Sequence, residues 1–251
     1  MTRDALAFVA AFVGGAINSV AGGGTLVTFP TLIWLGLPSI TASATSTTAL
    51  CPGTIAAIWG FRRELKAMPR RLFALIVPSI VGGLLGAALL QLTPAPVFDQ
   101  LVPILILFAT VLFMLQEPIQ RGLGTSTAPH HGGRWLAGAM AFQLLVGVYG
   151  GYFGAGIGIL MLAALSIIGL TDIHEMNAVK NLLALYINGI AMLYFIGMGM
   201  VSWPEAIVMA IGAMAGGIGG AEFARRIGRR AVRWLVVAIG LAMTAVLWRR
   251  I

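Results

Sequence analysis

One unusual pattern of residues occurs twice in this chain of 251 residues. Each copy contains spaced glycines, an apolar run, a Gly-Leu break and a polar cluster that opens another apolar run. The landmarks are Gly24, Gly36 and Thr45 in the first copy, and Gly158, Gly169 and Lys180 in the second. They lie 134, 133 and 135 positions apart, which a single duplication explains. We therefore expect two homologous halves, at 1–120 and 134–251, joined by a linker at 121–133.

The composition of the chain is that of an integral membrane protein. Hydrophobic residues make up 59% and charged residues 10%, outside the usual range of soluble domains. Apolar segments of about 18 to 25 residues recur, each long enough to cross a bilayer as a helix. We predict eight full spans, near 4–21, 40–61, 70–91, 97–116, 134–151, 174–197, 203–221 and 234–248. The two glycine-rich segments, of about 12 to 15 residues, are marginal for a crossing.

The net charge of +8 indicates how the chain is oriented in the membrane and does not indicate a nucleic-acid partner. The basic residues gather in short loops between spans, where they favour the cytoplasmic side. One cluster follows the second span and the other lies between the seventh and eighth: Arg62, Arg63, Lys66, Arg70 and Arg71, and Arg225, Arg226, Arg229, Arg230 and Arg233. Both loops are therefore predicted to face the cytoplasm.

The two basic loops do not correspond to each other under the duplication. Shifting either cluster by about 134 positions reaches a stretch without basic residues, at 196–205 or at 91–99. This swap predicts halves of opposite orientation, which requires an odd number of crossings in each. The expected fold is an all-α membrane protein, a polytopic helical bundle of two inverted-topology repeats, each with about four full spans plus one short or broken glycine-rich segment. The alternative keeps eight spans, makes both glycine segments re-entrant and puts one basic loop outside.

Inverted repeats with interrupted helices are typical of secondary transporters, whose substrate lies where the halves meet. Glycine lets the backbone approach a ligand, and the helix that begins after the break offers free N–H donors and a positive dipole end. Paired helix starts therefore favour an anion. The candidate substrate-binding residues are Asn18, Gly22, Gly23, Gly24, Thr25, Thr45 and Ser46 in the first half, and Gly154, Gly156, Gly158, Asn177, Lys180 and Asn181 in the second.

Lys180 is the most distinctive of these candidates, since it lies about six residues inside an apolar helix, where a charge costs a few kcal/mol unless it finds a partner. We predict that it supplies positive charge to the anion site. The alternative is that its stem reaches the membrane surface, towards Asp172 or Glu175. Other candidates also have structural alternatives, because transmembrane glycines often serve helix packing and hydroxyls often bond their own helix.

The motifs resemble those of the sulfite exporter (TauE/SafE) family of membrane permeases. The resemblance rests on Gly22-Gly23-Gly24-Thr25 through Pro30, on Gly36-Leu37-Pro38 with Ala42 to Ser46, and on Gly154-Ala155-Gly156-Ile157-Gly158 with Gly169-Leu170. It implies export of small sulfur-containing anions, such as sulfite or organosulfonates, across a bacterial inner membrane. The chain departs from the family's second motif, which often has a Thr-Ser pair where Lys180-Asn181 stand and a proline where Ala163-Ala164 stand.

The expected mechanism is alternating access around a central anion site, without a cofactor. The rival readings are an anion channel, a permease for a different small anion on the same fold, and a membrane scaffold. We do not predict an enzyme, since neither a nucleophile with a base nor a metal-ligand set is visible and His130, His131 and His174 lack ligand spacing. The expected partners are the anion and the lipid bilayer, with a second copy of the chain as a candidate for a homodimer.

Overall fold

The computed structural model of the chain describes residues 2–20, 22–60, 62, 65, 70–123, 133–167, 170, 173–227 and 229–248. Within these ranges the protein is helical, with ten α-helices and a 3-10 turn at Arg70–Leu75. The helices are α1 (Arg3–Val20), α2 (Thr25–Trp34), α3 (Ser39–Gly60), α4 (Ile76–Leu92), α5 (Ala95–Leu123), α6 (Gly133–Tyr152), α7 (Ile157–Ile167), α8 (Ile173–Gly197), α9 (Trp203–Ile227) and α10 (Arg229–Trp248). Most of the predicted linker, at 124–132 with its two histidines, lies outside the described residues.

The ten helices follow the apolar segments of the sequence. Each of the eight predicted spans falls on a long helix, and the two glycine-rich segments form the short helices α2 and α7. By length and composition, three stretches of the described chain can cross a membrane: Leu72–Leu92, Ala95–Leu115 and Glu175–Gly197. Three further apolar helices are shorter: Thr25–Trp34, Trp203–Ile218 and Val236–Trp248. An all-helical membrane fold is thus confirmed, while the number of crossings stays a prediction.

Glycines in a left-handed conformation end the helices that lead into the two motifs. Gly22, with φ +77°, follows α1, and its N–H donates to the carbonyls of Ile17 and Asn18 at 3.3 and 3.2 Å. Gly154, with φ +78°, follows α6, and its N–H donates to the Tyr149 carbonyl at 3.2 Å. Only glycine adopts this conformation at little cost, so the chain turns sharply at both positions.

The largest helix interfaces join the two halves. They pair α1 with α9 and α4 with α6. The predicted repeat would pair α1 with α6 and α4 with α9, so under it these two interfaces would correspond to each other. Both are backbone-to-backbone contacts at glycines: Gly216 of α9 lies against Phe12, and Gly86 of α4 lies against Val148 and Tyr152. Close approach of this kind is available only to small residues, as the spaced glycines of these helices predict.

Contacts inside the first half show how α2 is placed. Gly14 lies beside Leu50, and the Asn18 side chain bonds that of Thr54, so α1 and α3 run side by side in the same direction. Arg3, at the start of α1, donates to the Leu35 carbonyl just after α2. The helix α2 therefore returns the chain along α1, to the end where α1 began.

The glycine contacts also give the directions of helices across the halves. Gly212 and Gly216 of α9 meet Phe8 and Phe12 of α1 in increasing order, so α1 and α9 run in the same direction. Likewise α4 and α6 have the same direction, because Gly82 lies against Leu144 and Gly86 lies against Val148. The helix α4 also runs with α8, since Gly83 lies against Ile187 and Gln91 accepts from Tyr194. Two buried apolar clusters fill the spaces between the helices.

Candidate functional site

The two glycine motifs meet in the folded chain. A Cβ placed on Gly22 would lie 2.5 Å from the Gly158 Cα and 2.9 Å from its nitrogen. A Cβ on Gly154 would lie 3.9 Å from the Thr25 hydroxyl, so a second residue pair also joins the motifs. The two glycine-rich loops therefore form one junction, in which the backbone of Gly22 lies against that of Gly158.

Both short helices begin at this junction. The first bonds of α2 run from the N–H of Leu26 to the Gly23 carbonyl at 3.1 Å and from the N–H of Val27 to the Gly24 carbonyl at 3.0 Å. The helix α7 starts in the same way, with the N–H of Ile159 donating to the Gly156 carbonyl at 3.0 Å. The dipole of a helix makes its first turn positive. The junction therefore brings together the positive ends of two helices.

A polar network in the first half surrounds Gly24. Its missing side chain leaves room for Asn18, since a Cβ there would lie 3.2 Å from the Asn18 Cβ. The Asn18 amide donates to the Thr54 hydroxyl at 3.2 Å. The Thr28 hydroxyl lies 3.2 Å from the Gly24 carbonyl and shares a hydrogen bond of 2.6 Å with Ser46. These contacts fix the start of α2 against α1 and α3.

Lys180 is buried inside the protein and crosses from one half to the other. Only 1% of the residue is exposed, and its Nζ donates to the Ser19 carbonyl at 3.5 Å, on the last turn of α1. The amine thus lies within the helical bundle, which does not fit the alternative in which it extends to the membrane surface. The next residue, Asn181, is equally buried, and its Nδ2 has no hydrogen-bond partner in the described part of the chain.

Some predicted residues lie apart from the junction. The Thr45 hydroxyl accepts the Ser202 N–H at 3.0 Å, which ties α3 to the start of α9. Gly23 and Gly156 both face α5: a Cβ on Gly23 would press on the Phe113 ring, and one on Gly156 would lie 3.6 Å from Ala109. Asn177 is half-buried on α8, one turn before Asn181. Their part in substrate binding stays a prediction.

Sequence reasoning missed two residues that shape the junction. Thr28 bonds both the Gly24 carbonyl and Ser46. The signal that could have identified it is a hydroxyl side chain one helical turn after the glycines. Tyr149 donates its hydroxyl to the Ala155 carbonyl at 2.7 Å and so holds the second glycine loop. An aromatic residue in an apolar span is ordinary, so no feature of the sequence indicated this role.

Comparison with known proteins identifies the chain's relatives. A probable membrane transporter protein of Haemophilus influenzae is 29% identical over 248 residues, 96% of this chain and 92% of that protein. The probable membrane transporter protein YfcA of Escherichia coli is 31% identical over 246 residues, 95% of this chain and 87% of that protein. The probable membrane transporter protein ORF9 of a Sinorhizobium species is 26% identical over 240 residues, 95% and 90% of the two chains.

No solved structure matches the chain. The family described as Sulfite exporter TauE/SafE matches residues 7–247, which is nearly the whole sequence and includes both glycine motifs. The chain therefore belongs to the sulfite exporter TauE/SafE family of membrane transporters.

Proposed function

We propose that this protein is a multi-pass secondary transporter of the bacterial inner membrane that exports small sulfur-containing anions, such as sulfite or an organosulfonate, by alternating access. The observation that carries the proposal is the contact between Gly22 and Gly158, where the glycine motifs of the two halves meet and both short helices begin. A solute held there touches both halves at once. Movement of one half against the other then changes the side from which the solute is reached.

The chemistry of the junction favours an anion because its polar groups are mainly donors. The starts of α2 and α7 carry a positive partial charge. The Lys180 ammonium and the Asn181 amide nitrogen are buried hydrogen-bond donors, and the Asn181 nitrogen has no partner among the described residues. Sulfite and sulfonate groups carry three acceptor oxygens and negative charge. Such a ligand satisfies donors that are otherwise costly to bury.

The directions of the helices support inverted repeats. Ser202, at the start of α9, bonds Thr45 near the start of α3, and it follows the end of α8 by five residues. Since α8 packs along α3, it runs opposite to α3 and therefore to α1. The helix α6 runs in the same direction as α4, and α4 runs in the same direction as α8. Since α8 is opposite to α1, the first helices of the two halves, α1 and α6, have opposite directions. This is the relationship that inverted-topology transporters require.

The position of α2 favours the odd number of crossings over the eight-span alternative. If α2 were only a re-entrant loop at the far end of α1, α3 would have to return along α1 in the opposite direction. The contacts from Gly14 to Leu50 and from Asn18 to Thr54 show instead that α3 and α1 have the same direction. With both basic loops in the cytoplasm, this arrangement agrees with the charge swap between the halves.

The family description supports the choice of sulfur oxyanions, and the names of the relatives support membrane transport. The test is counterflow in proteoliposomes that contain the purified protein and are loaded with unlabelled sulfite. We expect labelled external sulfite to accumulate transiently above its outside concentration, with competition by an organosulfonate and none by acetate. If labelled sulfite only equilibrates across the membrane and the protein shows a steady ion conductance, it is a channel. If no sulfite crosses at all, sulfite is not the substrate.

A further inference from the structure

We propose that Lys180 exchanges partners during transport, bonding the Ser19 carbonyl when the site is empty and an oxygen of the substrate anion when it is filled. This inference rests on the proposed function and assigns the lysine a task within it. Binding of the anion would then release the end of α1 from the second half. The lysine would couple occupancy of the site to movement of the halves.

The first support is that the bond joins the two predicted halves beside a sharp glycine turn. Lys180 belongs to α8, and Ser19 belongs to the last turn of α1, three residues before the left-handed Gly22. A sharp glycine turn is a place where backbone angles change at low cost. Whatever holds Ser19 therefore controls the segment that carries Gly22 to its contact with Gly158.

The second support is that the bond can be exchanged. Its length of 3.5 Å is at the long limit for a hydrogen bond, so the ammonium is held loosely. The carbonyl of Ser19 carries only the partial negative charge of a helix end, whereas an oxyanion carries a formal charge. An anion that enters the junction therefore competes well for the same ammonium.

The third support is a neighbouring donor without a partner. The Asn181 side chain is 2% exposed, and its Nδ2 has no acceptor among the described residues. A buried donor of this kind is costly unless a ligand or water completes it. Asn181 follows Lys180 directly on α8, about 1.5 Å further along the helix axis, so this unfilled donor lies at nearly the same depth in the bundle as the ammonium.

The test is hydrogen exchange of the Gly22 amide, which bonds the Ile17 and Asn18 carbonyls and so reports the end of α1, in the purified full-length protein with sulfite or with chloride at equal ionic strength. In the wild type we expect sulfite to raise the exchange rate about tenfold and chloride to leave it unchanged. A factor of about ten corresponds to the loss of one hydrogen bond to a charged group, at the lower end of the usual range. In Lys180→Met, exchange should already be fast and sulfite should not alter it.

Two further variants separate this role from general damage to the fold. Ser19→Ala removes the hydroxyl, which bonds the Ala16 carbonyl, but keeps the Ser19 carbonyl, so it should respond to sulfite as the wild type does. Lys180→Arg keeps the charge and should restore at least part of the response. Slow exchange in empty Lys180→Met overturns the proposal, as does a wild type that transports sulfite without faster exchange. A wild type that neither binds nor transports sulfite overturns the proposed function itself.

Discussion

The backbone of Gly22 touches the backbone of Gly158, with a Cβ on Gly22 placed 2.5 Å from the Gly158 Cα. Real Cβ atoms are almost never this close to backbone, so Gly22 cannot accept a side chain unless one of the two backbones moves. The two predicted halves of the chain are therefore in direct contact at their glycine-rich motifs.

Alanine at Gly22 should abolish transport while leaving the protein folded. The substitution strains a backbone with φ +77° and also drives the methyl group into Gly158. Gly36 is the matched control, because its φ of +91° is equally strained but nothing lies within 4 Å of its Cβ position. Gly36→Ala should cost about 1 kcal/mol of stability through the left-handed conformation alone and keep sulfite counterflow. Equal counterflow in both variants would contradict the proposed role of the junction.

The glycine contacts between α4 and α6 should be essential for stability. A Cβ on Gly86 would lie 2.7 Å from the Tyr152 nitrogen, so Gly86→Ala forces the two helices apart. We expect a loss of about 1–3 kcal/mol, seen as a lower unfolding temperature in detergent. Gly138→Ala, on α6 with open space around its Cβ position, is the control and should be neutral or slightly stabilising. Unchanged stability of Gly86→Ala would show that the helices adjust freely.

A buried side-chain pair holds α4 to α6 near these glycines. The Gln143 amide nitrogen donates to the Ser79 hydroxyl at 2.8 Å, and Ser79 in turn donates to the Leu75 carbonyl at 2.8 Å. Ser79→Ala strands the amide donor and should cost about 1–2 kcal/mol. Adding Gln143→Met should recover most of this loss, because the stranded donor is then removed. A double-mutant cycle of thermal unfolding measures the coupling, and strictly additive losses would argue against a shared bond.

Removing the Tyr149 hydroxyl should loosen the second glycine loop. In Tyr149→Phe the edge-to-face contact with Phe108 remains, but the bond of 2.7 Å to the Ala155 carbonyl is lost. We expect about 1 kcal/mol of destabilisation and faster hydrogen exchange at residues 153–156. Tyr152→Phe is the comparison, since its hydroxyl makes only a 3.3 Å bond to Thr93 and should matter less. A larger effect of Tyr152→Phe would reverse the assigned importance of the two hydroxyls.

The sequence predicted the helices and the glycine turns well because both follow from local chemistry. Runs of apolar residues form the long helices, and Gly22 and Gly154 have the left-handed conformation that other residues avoid. These features depend on neighbours in the chain and not on long-range packing. For Lys180 the sequence left two alternatives, an inward anion site or the membrane surface, and its burial fits the first of them.

The sequence could not predict which polar groups meet across the fold. Thr45 and Ser46 are adjacent and chemically alike, yet Thr45 bonds Ser202 on one side of α3 while Ser46 bonds Thr28 on another. One residue of helical rotation, about 100°, separates these directions. The partner of Lys180, a backbone carbonyl, has no side-chain signature at all, so Ser19 could be found only in the folded structure.

The most direct test of the account is equilibrium binding of labelled sulfite to the purified protein in detergent, in the wild type and in Lys180→Met. The account predicts a single saturable site in the wild type, from which an organosulfonate displaces labelled sulfite and acetate does not. In Lys180→Met, sulfite binding should be strongly weakened. Equal affinity in the two proteins, or no saturable sulfite binding in the wild type, would contradict an anion site at the junction of the two halves.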